Sequence, residues 1–342
     1  MQTLHIFNPE HDEALAAGTP FYTPTRAARA MAQKGARWPH LWSEEGDYVL
    51  LPDAGAQEFP LSVENIEIYP QDLTPSLWEG VGRIDPWGWD AALCRRLRLR
   101  GAPERLLPDA ERLETIRQLS SRATSVRLLR LLRQALPETV GEAEILKGVG
   151  EVEDYAARHS VAMLKAPWSC SGRGVFKAAA PLPEAVRRRV ERILEKQGSI
   201  AAEPFYDRIK DFALEFEARP DGAISYQGVS YFAASATGAY AGNLIAPQSV
   251  LLAKIGEPLP ALLPQLIAAC TAALETLLKG NYCGPLGIDM MLVQKDGAVR
   301  LHPCVELNLR RTMGHVALFC TQKRLNSDTF LGDNEIFPYF CS

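Results

Sequence analysis

The stretch that most constrains this chain is a hairpin near its C-terminal end, GIDMMLV and VRLHPCVELN around QKDGA. Asp296-Gly297 is a strong two-residue turn signal between two apolar runs. The segment from His302 to Gly314 opens as a strand, Val299–Leu307, and then presents Glu306, Asn308, Arg310 and Arg311 in one short run. If the turn sets the register, Lys295 faces Ala298 and Asp289 faces Cys304. Side chains alternate along a strand, so Asp289, Glu306 and Asn308 share a face, with Glu306 diagonal to Asp289. Three hard oxygen donors followed by two guanidiniums suit a Mg²⁺–polyphosphate: carboxylates hold the metal, phosphates complete its shell, and arginines neutralise the remaining charge. An exposed hairpin whose face is merely polar is the other reading.

The rest of the chain is unexceptional in bulk. Its 342 residues, 47% apolar and 23% charged, describe a soluble globular protein long enough for two domains or one domain with lobes. A net charge of −4 gives no reason to expect nucleic acid or an anionic membrane as partner. Met1–Phe7 is a short apolar strand rather than a signal peptide, and no apolar run is expected to reach the ~20 residues of a membrane span. The seven cysteines form no C-x-x-C pair and lie mostly in apolar contexts, so they read as reduced core residues of a cytoplasmic protein.

The N-terminal third, to Pro108, reads as a small α/β domain with strands at TLHIF, Tyr48–Leu51 and Ile66–Tyr69 and helices at Thr25–Lys34 and Asp90–Arg100. Asn8-Pro9-Glu10-His11-Asp12 follows the first strand. Loops at the carboxyl ends of strands in open α/β sheets face the binding crevice, which makes Asn8, Glu10 and His11 candidate substrate contacts. Asn8 could equally cap a helix with Pro9 at its first position. Asp85-Pro-Trp-Gly-Trp-Asp90 is either a pocket wall or a packed corner ahead of a helix capped by Asp90.

From Ala110 to Leu136 the apolar positions Leu119, Val126, Leu129, Leu132 and Leu136 predict one long helix with arginines on its other face. Val161–Leu164 is a strand leading to Lys165, followed by Ala-Pro-Trp-Ser-Cys-Ser-Gly-Arg-Gly. Gly172 and Gly174 permit close backbone approach, so amides and the hydroxyls of Ser169 and Ser171 can wrap phosphate oxygens; a plain β-turn is the alternative. The Walker pattern G-x-x-x-x-G-K-[ST] is absent. Pro183–Gln197 and Pro260–Leu278 are further helices, Leu214–Ala218 and Ile224–Val229 a hairpin, and Tyr231–Leu244 a stretch too polar for core.

Asp289 followed by E-l-N-l-R across Glu306, Asn308 and Arg310 resembles the terminal motif of the ATP-grasp superfamily, which includes D-alanine–D-alanine ligase and biotin carboxylase. The other ATP-grasp parts occur upstream in order, so the resemblance covers Asp109 to Ala317. It implies an α/β (α+β) chain: an ATP-grasp fold of two α+β lobes clasping ATP, 109–198 and 199–342, preceded by an α/β domain at 1–108. It implies Lys165 at the α/β-phosphates, assisted by Lys147 or Arg173, under a loop of Ser169, Ser171, Gly172 and Gly174. Arg122 stands where the family more often has lysine. Glu203, the Pro204 carbonyl and the Tyr206 amide would read adenine, with Phe205 and Leu292 in the same contact set. Asp211, shorter than the commoner glutamate, would take the ribose.

The same resemblance makes Asp289 and Glu306 ligands of Mg²⁺ (or Mn²⁺), with Asn308 completing a second metal, and gives Arg310 or Arg311 the acylphosphate oxyanion. Tyr240 and Asn243 become acceptor contacts. The implied reaction joins a small-molecule or peptide carboxylate to an amine through an acylphosphate, releasing ADP and phosphate. A phosphotransferase acting on a hydroxyl and a nucleotide-binding module without turnover use the same parts. Homodimers are common in the superfamily.

Overall fold

The computed structural model describes residues 1–53, 55–57, 65–169, 174–234 and 240–325. The described chain forms two compact units, Met1–Arg117 with the helical residues from Phe319 to Leu325, and Gln118–Leu318.

The first unit is built on β1 (Gln2–Ile6), followed by helices α1 (His11–Ala17) and α2 (Arg26–Gly35), then β2 (Tyr48–Leu50) and β3 (Ile66–Ile68). α3 (Pro75–Gly80), β4 (Val81–Pro86) and α4 (Ala91–Leu99) complete it, with α5 (Ala110–Leu119) crossing its boundary. The four strands are parallel in the order β3-β2-β1-β4. Leu4, Ile6, Val81, Ile84, Leu93, Leu97 and Trp78 form the core on one side of this sheet.

The chain leaves β1 for β2 on one side and returns to β4 on the other, so the order switches between β1 and β4. There NPEHD and PWGWD meet. Asn8 does not cap α1: Glu10 is the N-cap residue and gives no side-chain bond. Asn8 is buried instead and donates through Nδ2 to the Gly88 carbonyl at 2.8 Å and to Asp90 at 3.2 Å. Trp87 packs edge-on against Phe7, and Asp90 caps α4 by accepting from the Leu93 amide at 2.8 Å. Both sequence stretches therefore build one packed corner.

The second unit begins with α6 (Arg122–Ala135), β5 (Glu144–Leu146), α7 (Val149–His159), β6 (Ala162–Lys165), β7 (Val175–Ala178), α8 (Glu184–Gln197) and β8 (Ile200–Pro204). β9 (Asp207–Ala218), β10 (Ile224–Ala234), β11 (Tyr240–Asn243), α9 (Gln248–Ile255), α10 (Leu259–Leu278), β12 (Gly284–Lys295) and β13 (Ala298–Asn308) follow, and α11 (Met313–Leu325) crosses the boundary after Leu318. Its two antiparallel sheets have orders β5-β8-β6-β7 and β11-β10-β9-β12-β13. The first packs Leu164, Ile200 and Ala202 against Val152, Tyr155 and Val190 of α7 and α8.

Several sequence expectations change here. The long helix at 110–136 is two helices, because Ser121 interrupts the first and caps the second, accepting from the Ala123 amide at 3.4 Å. The polar stretch 231–244 is not a loop throughout: β10 runs to Ala234 and β11 pairs with it, leaving Asn243 buried. The 20-residue helix α10 is apolar enough, by length and composition, to cross a membrane, contrary to the expectation that no such run exists. It packs on α6, α9 and β10, burying Leu266, Cys270, Leu274 and Leu278. Cys283 is exposed rather than in the core.

Candidate nucleotide and metal site

The hairpin β12–β13 closes through Asp296 and Gly297, whose φ values of 50° and 77° suit the mirror-image turn that a two-residue hairpin needs. Lys295 pairs with Ala298 as the turn predicts. The register then shifts: Met291 faces His302, but Asp289 faces Glu306 rather than Cys304. The bulge gives β13 extra residues between those two pairs and carries Glu306 from a diagonal to a directly opposed position. Across the next rung Gly287 faces Asn308 on one side and Glu215 of β9 on the other.

Two like charges directly opposed on an antiparallel pair repel, and here they do so in an enclosed place. Burial and the neighbouring Glu306 and Glu215 carboxylates push the Asp289 carboxyl well above its usual range, opposed by Arg310 and by a hydrogen bond from Asn308. Such a pair accepts a hard cation readily, and the donor set of two carboxylates and an amide oxygen fits Mg²⁺.

Two cations reach this edge from other elements. Arg122, buried at the start of α6, meets Glu306 at 2.7 Å and donates to the Val305 carbonyl at 3.4 Å. Lys165, buried at the end of β6, donates to the same carbonyl at 3.2 Å and pairs with Glu203 at 2.6 Å. Lys165 aligns with Ala201 on β8, and Glu203 stands two residues on, so the pair is diagonal across one ladder. A narrow cleft follows, lined by Arg122, Ser125, Lys165, Glu203, Cys304 and Val305.

The remaining residues expected in this site fall as follows. Lys147 is exposed just beyond β5, its amide donating to Glu151 at 2.8 Å. The Ser169 hydroxyl is buried with no hydrogen-bond partner among the described residues, and a Cβ at Gly174 would overlap it. Ser171, Gly172 and Arg173 lie outside the described residues. Pro204 ends β8, Phe205 is exposed with the Lys177 ammonium 3.9 Å from its ring, and the Tyr206 hydroxyl accepts from the Glu142 amide at 3.2 Å. Asp211 lies inside β9, where burial raises its carboxyl above the usual range and Arg208, 2.9 Å away, opposes that. Leu292 is buried on β12 opposite Leu301.

At the end of the hairpin, Arg310 donates to Asn308 Oδ1 at 3.2 Å, and Arg311 is buried. The acceptor candidates divide between the units: Asn8, Glu10 and His11 in the first, Tyr240 and Asn243 in the second. Glu10 is buried and paired with Arg96 at 2.6 Å, while His11 Nδ1 lies 3.6 Å from Asp90. Asn243 donates to the Tyr231 carbonyl at 3.4 Å, and Tyr240 enters β11 opposite Ala234.

One polar cluster was not foreseen. Glu215 is buried and accepts from Ser230 at 2.8 Å and Thr312 at 2.9 Å, and Thr312 also meets His315 Nδ1 at 2.9 Å. Burial raises the Glu215 carboxyl to about 7, and burial with Arg311 beside it lowers His315 to about 3. Gly287 and Gly314 have no positive φ, yet a Cβ at Gly287 would lie 2.5 Å from Glu215 Oε2, and one at Gly314 would overlap Oε1. These glycines make room for a carboxyl. Nothing in the LEFEA run announces it, because glutamate on a strand ordinarily faces water.

No family model and no curated protein matches the chain. Solved structures do. The biotin carboxylase domain of the Hydrogenobacter thermophilus 2-oxoglutarate carboxylase, in complex with MgADP, ADP and bicarbonate, matches with a TM-score of 0.53 at 13% identity. That match covers 93% of this chain and 68% of that one. Campylobacter jejuni biotin carboxylase in complex with a β,γ-ATP ligand matches at 0.52 with 14% identity, over 93% and 67%. Rhizobium etli pyruvate carboxylase matches at 0.53 with 13% identity, over 93% of this chain and 27% of that larger one. The arrangement of elements, with these matches, identifies the fold: the chain has the fold of the ATP-grasp superfamily.

Proposed function

We propose that the protein is an ATP- and Mg²⁺-dependent ligase that joins a carboxylate to an amine through an acylphosphate, releasing ADP and phosphate. The observation that carries this reading is the opposed pair Asp289 and Glu306, with Arg122 and Lys165 both converging on the carbonyl between Cys304 and Glu306. Opposed carboxylates favour a shared hard cation, and Arg122 and Lys165, held by Glu306 and Glu203, can exchange those carboxylates for phosphates.

In this account Asp289, Glu306 and Asn308 hold the metal, which when bound neutralises polyphosphate charge. Arg122 and Lys165 release Glu306 and Glu203 and take phosphate oxygens, with Lys147, Arg173, Ser169, Ser171, Gly172 and Gly174 as the covering side. Glu203, Pro204, Phe205, Tyr206, Leu292 and Asp211 bind the nucleoside. Arg310 and Arg311 face the γ-phosphoryl and stabilise the charge that develops as the substrate carboxylate attacks it. An amine then displaces phosphate. Chemistry of this kind is positioning and charge neutralisation, with little need for a protein nucleophile. Asn8, Glu10, His11, Tyr240 and Asn243 are proposed acceptor contacts, the substrates being a small-molecule or peptide carboxylate and an amine, in a cytoplasmic enzyme.

The test is stoichiometric. Pools of carboxylates and amines are screened for ADP release, and phosphate is measured in the same samples. Equal ADP and phosphate is expected; ADP with a phosphorylated product and no free phosphate would instead identify a phosphotransferase.

A further inference from the structure

His302 is fully buried on β13, and among the described residues no neighbouring group hydrogen-bonds either of its buried ring nitrogens. Buried polar atoms in folded proteins are nearly always paired, so two orphans on one side chain require an explanation. Packing alone does not supply it. A leucine or phenylalanine would fill such a site without stranding two polar atoms.

The surroundings are specific. The Tyr206 ring stands edge-on to the imidazole, centroids 5.2 Å apart at 75°. Across from Nε2 lies Gly141, with φ 122°, where a Cβ would sit 2.7 Å from that nitrogen. Glycine is required there twice over, for its backbone conformation and for the approach to the ring. Arg133 holds that loop through the Thr139 and Gly141 carbonyls. Tyr206 closes the segment that begins at Glu203, so the imidazole lies against one of the residues to which the proposed function gives the nucleoside. Burial, with Lys165 and Arg133 nearby, lowers the ring to about 3 and so holds it neutral, against a smaller opposing contribution from its own backbone. A neutral imidazole offers one donor and one acceptor, and its tautomer adapts to what it meets.

We infer that His302 is a nucleobase-recognition residue: on binding, the side chains around Tyr206 and Gly141 part and a ring nitrogen of His302 hydrogen-bonds a heteroaromatic base. This rests on the reading that the chain binds ATP, and it adds a side-chain contact to the base that the sequence did not suggest. Adenine carries both ring-nitrogen acceptors and an exocyclic amine donor, so either tautomer finds a partner.

The experiment separates base from phosphates. Calorimetric affinities for Mg-ATP and for Mg-tripolyphosphate, which has no base, are measured on the wild type, His302→Leu and His302→Gln. The inference predicts about tenfold weaker ATP binding for His302→Leu, the cost of roughly one hydrogen bond, with tripolyphosphate affinity unchanged. His302→Gln, which keeps a donor and an acceptor, should recover part of the loss. Unchanged ATP affinity in His302→Leu overturns the inference, and so does an equal fall for both ligands, which would mark a purely structural role. Because a variant can fail to fold, wild-type ¹⁵N-histidine spectra provide a second arm. The His302 ring resonances should move with ATP and not with tripolyphosphate; no movement with ATP overturns the inference. A wild type that binds tripolyphosphate and ATP equally removes base recognition alone, whereas one that binds neither removes the ATP reading as well.

Discussion

Asp289 and Glu306 stand directly opposite each other across the β12–β13 ladder, two carboxylates on one rung. Without a cation this pairing is destabilising, so its presence is an argument about what the site holds rather than about what holds the fold. Arg122 at 2.7 Å from Glu306 is a partial substitute for that cation.

Replacing Arg122 tests this substitution. Arg122→Leu should leave only Arg310 and Asn308 to offset the repulsion between Glu306 and Asp289 and lower the thermal midpoint without Mg²⁺, and saturating Mg²⁺ with a non-hydrolysable ATP analogue should not restore wild-type affinity. A loss of roughly tenfold or more in nucleotide affinity is expected for one charge-assisted contact. Wild-type affinity in Arg122→Leu would remove Arg122 from the site.

The two glycines around Glu215 give a stability prediction. Gly314→Ala places a methyl where Glu215 Oε1 now lies, and Gly287→Ala crowds Oε2 at 2.5 Å. Neither backbone needs positive φ, so the gain in helix or strand propensity would otherwise favour alanine. Each substitution is expected to cost about 1–3 kcal/mol through overpacking, measured by urea unfolding. Pairing Gly314→Ala with Glu215→Ala should recover part of the loss, and a double variant as unstable as the sum of the singles would contradict the steric account.

Glu215 also predicts a pH dependence. Its carboxyl is raised to about 7 in the folded chain from 4.5. Between those values the folded state binds a proton that the unfolded state has released, so stability falls as pH rises through the window. Its contribution is fully present below 4.5 and is lost above about 7. Glu215→Gln removes the proton, so its thermal midpoint relative to wild type should climb from pH 4.5 to about 7 and then level off. His302 and His315, each lowered to about 3, act oppositely and lose stability below 6.5; His302 does so in both proteins alike, whereas His315 Nδ1 lies 3.1 Å from Glu215, so the comparison is read between pH 6.5 and about 7 as well as below. A difference that does not vary with pH would show that Glu215 is already ionised.

Much of this arrangement was legible in the sequence, and the exceptions have physical causes. Asp296-Gly297 sets the hairpin because only those residue types accept the turn's positive φ, and the chain obeys it at Lys295 and Ala298. The bulge beyond Met291 sets Pro303, Cys304 and Val305 against Met290 alone and moves Glu306 opposite Asp289; its one mark in the sequence is Pro303, since proline inside a strand belongs to an edge or a bulge and does not say which. The break at Ser121 was hidden because apolar spacing continues through it, while the cap that creates it is a single hydroxyl. Glu215, Thr312 and His315 are far apart in sequence and meet only through the sheet and the turn into α11. Their only trace is glycine at 287 and 314, and a glycine needed for space looks no different in sequence from one needed for φ.

The central claim is metal-dependent nucleotide binding at the Asp289–Glu306 pair, and calorimetry with a non-hydrolysable ATP analogue tests it most directly. The titration is made with and without Mg²⁺, on the wild type and on Glu306→Gln, which keeps the shape of the side chain and removes its charge. The account predicts micromolar binding that needs Mg²⁺ in the wild type, and in the variant a loss of the metal dependence together with at least a tenfold weaker affinity. Binding that is indifferent to Mg²⁺, or identical in the two proteins, would contradict it.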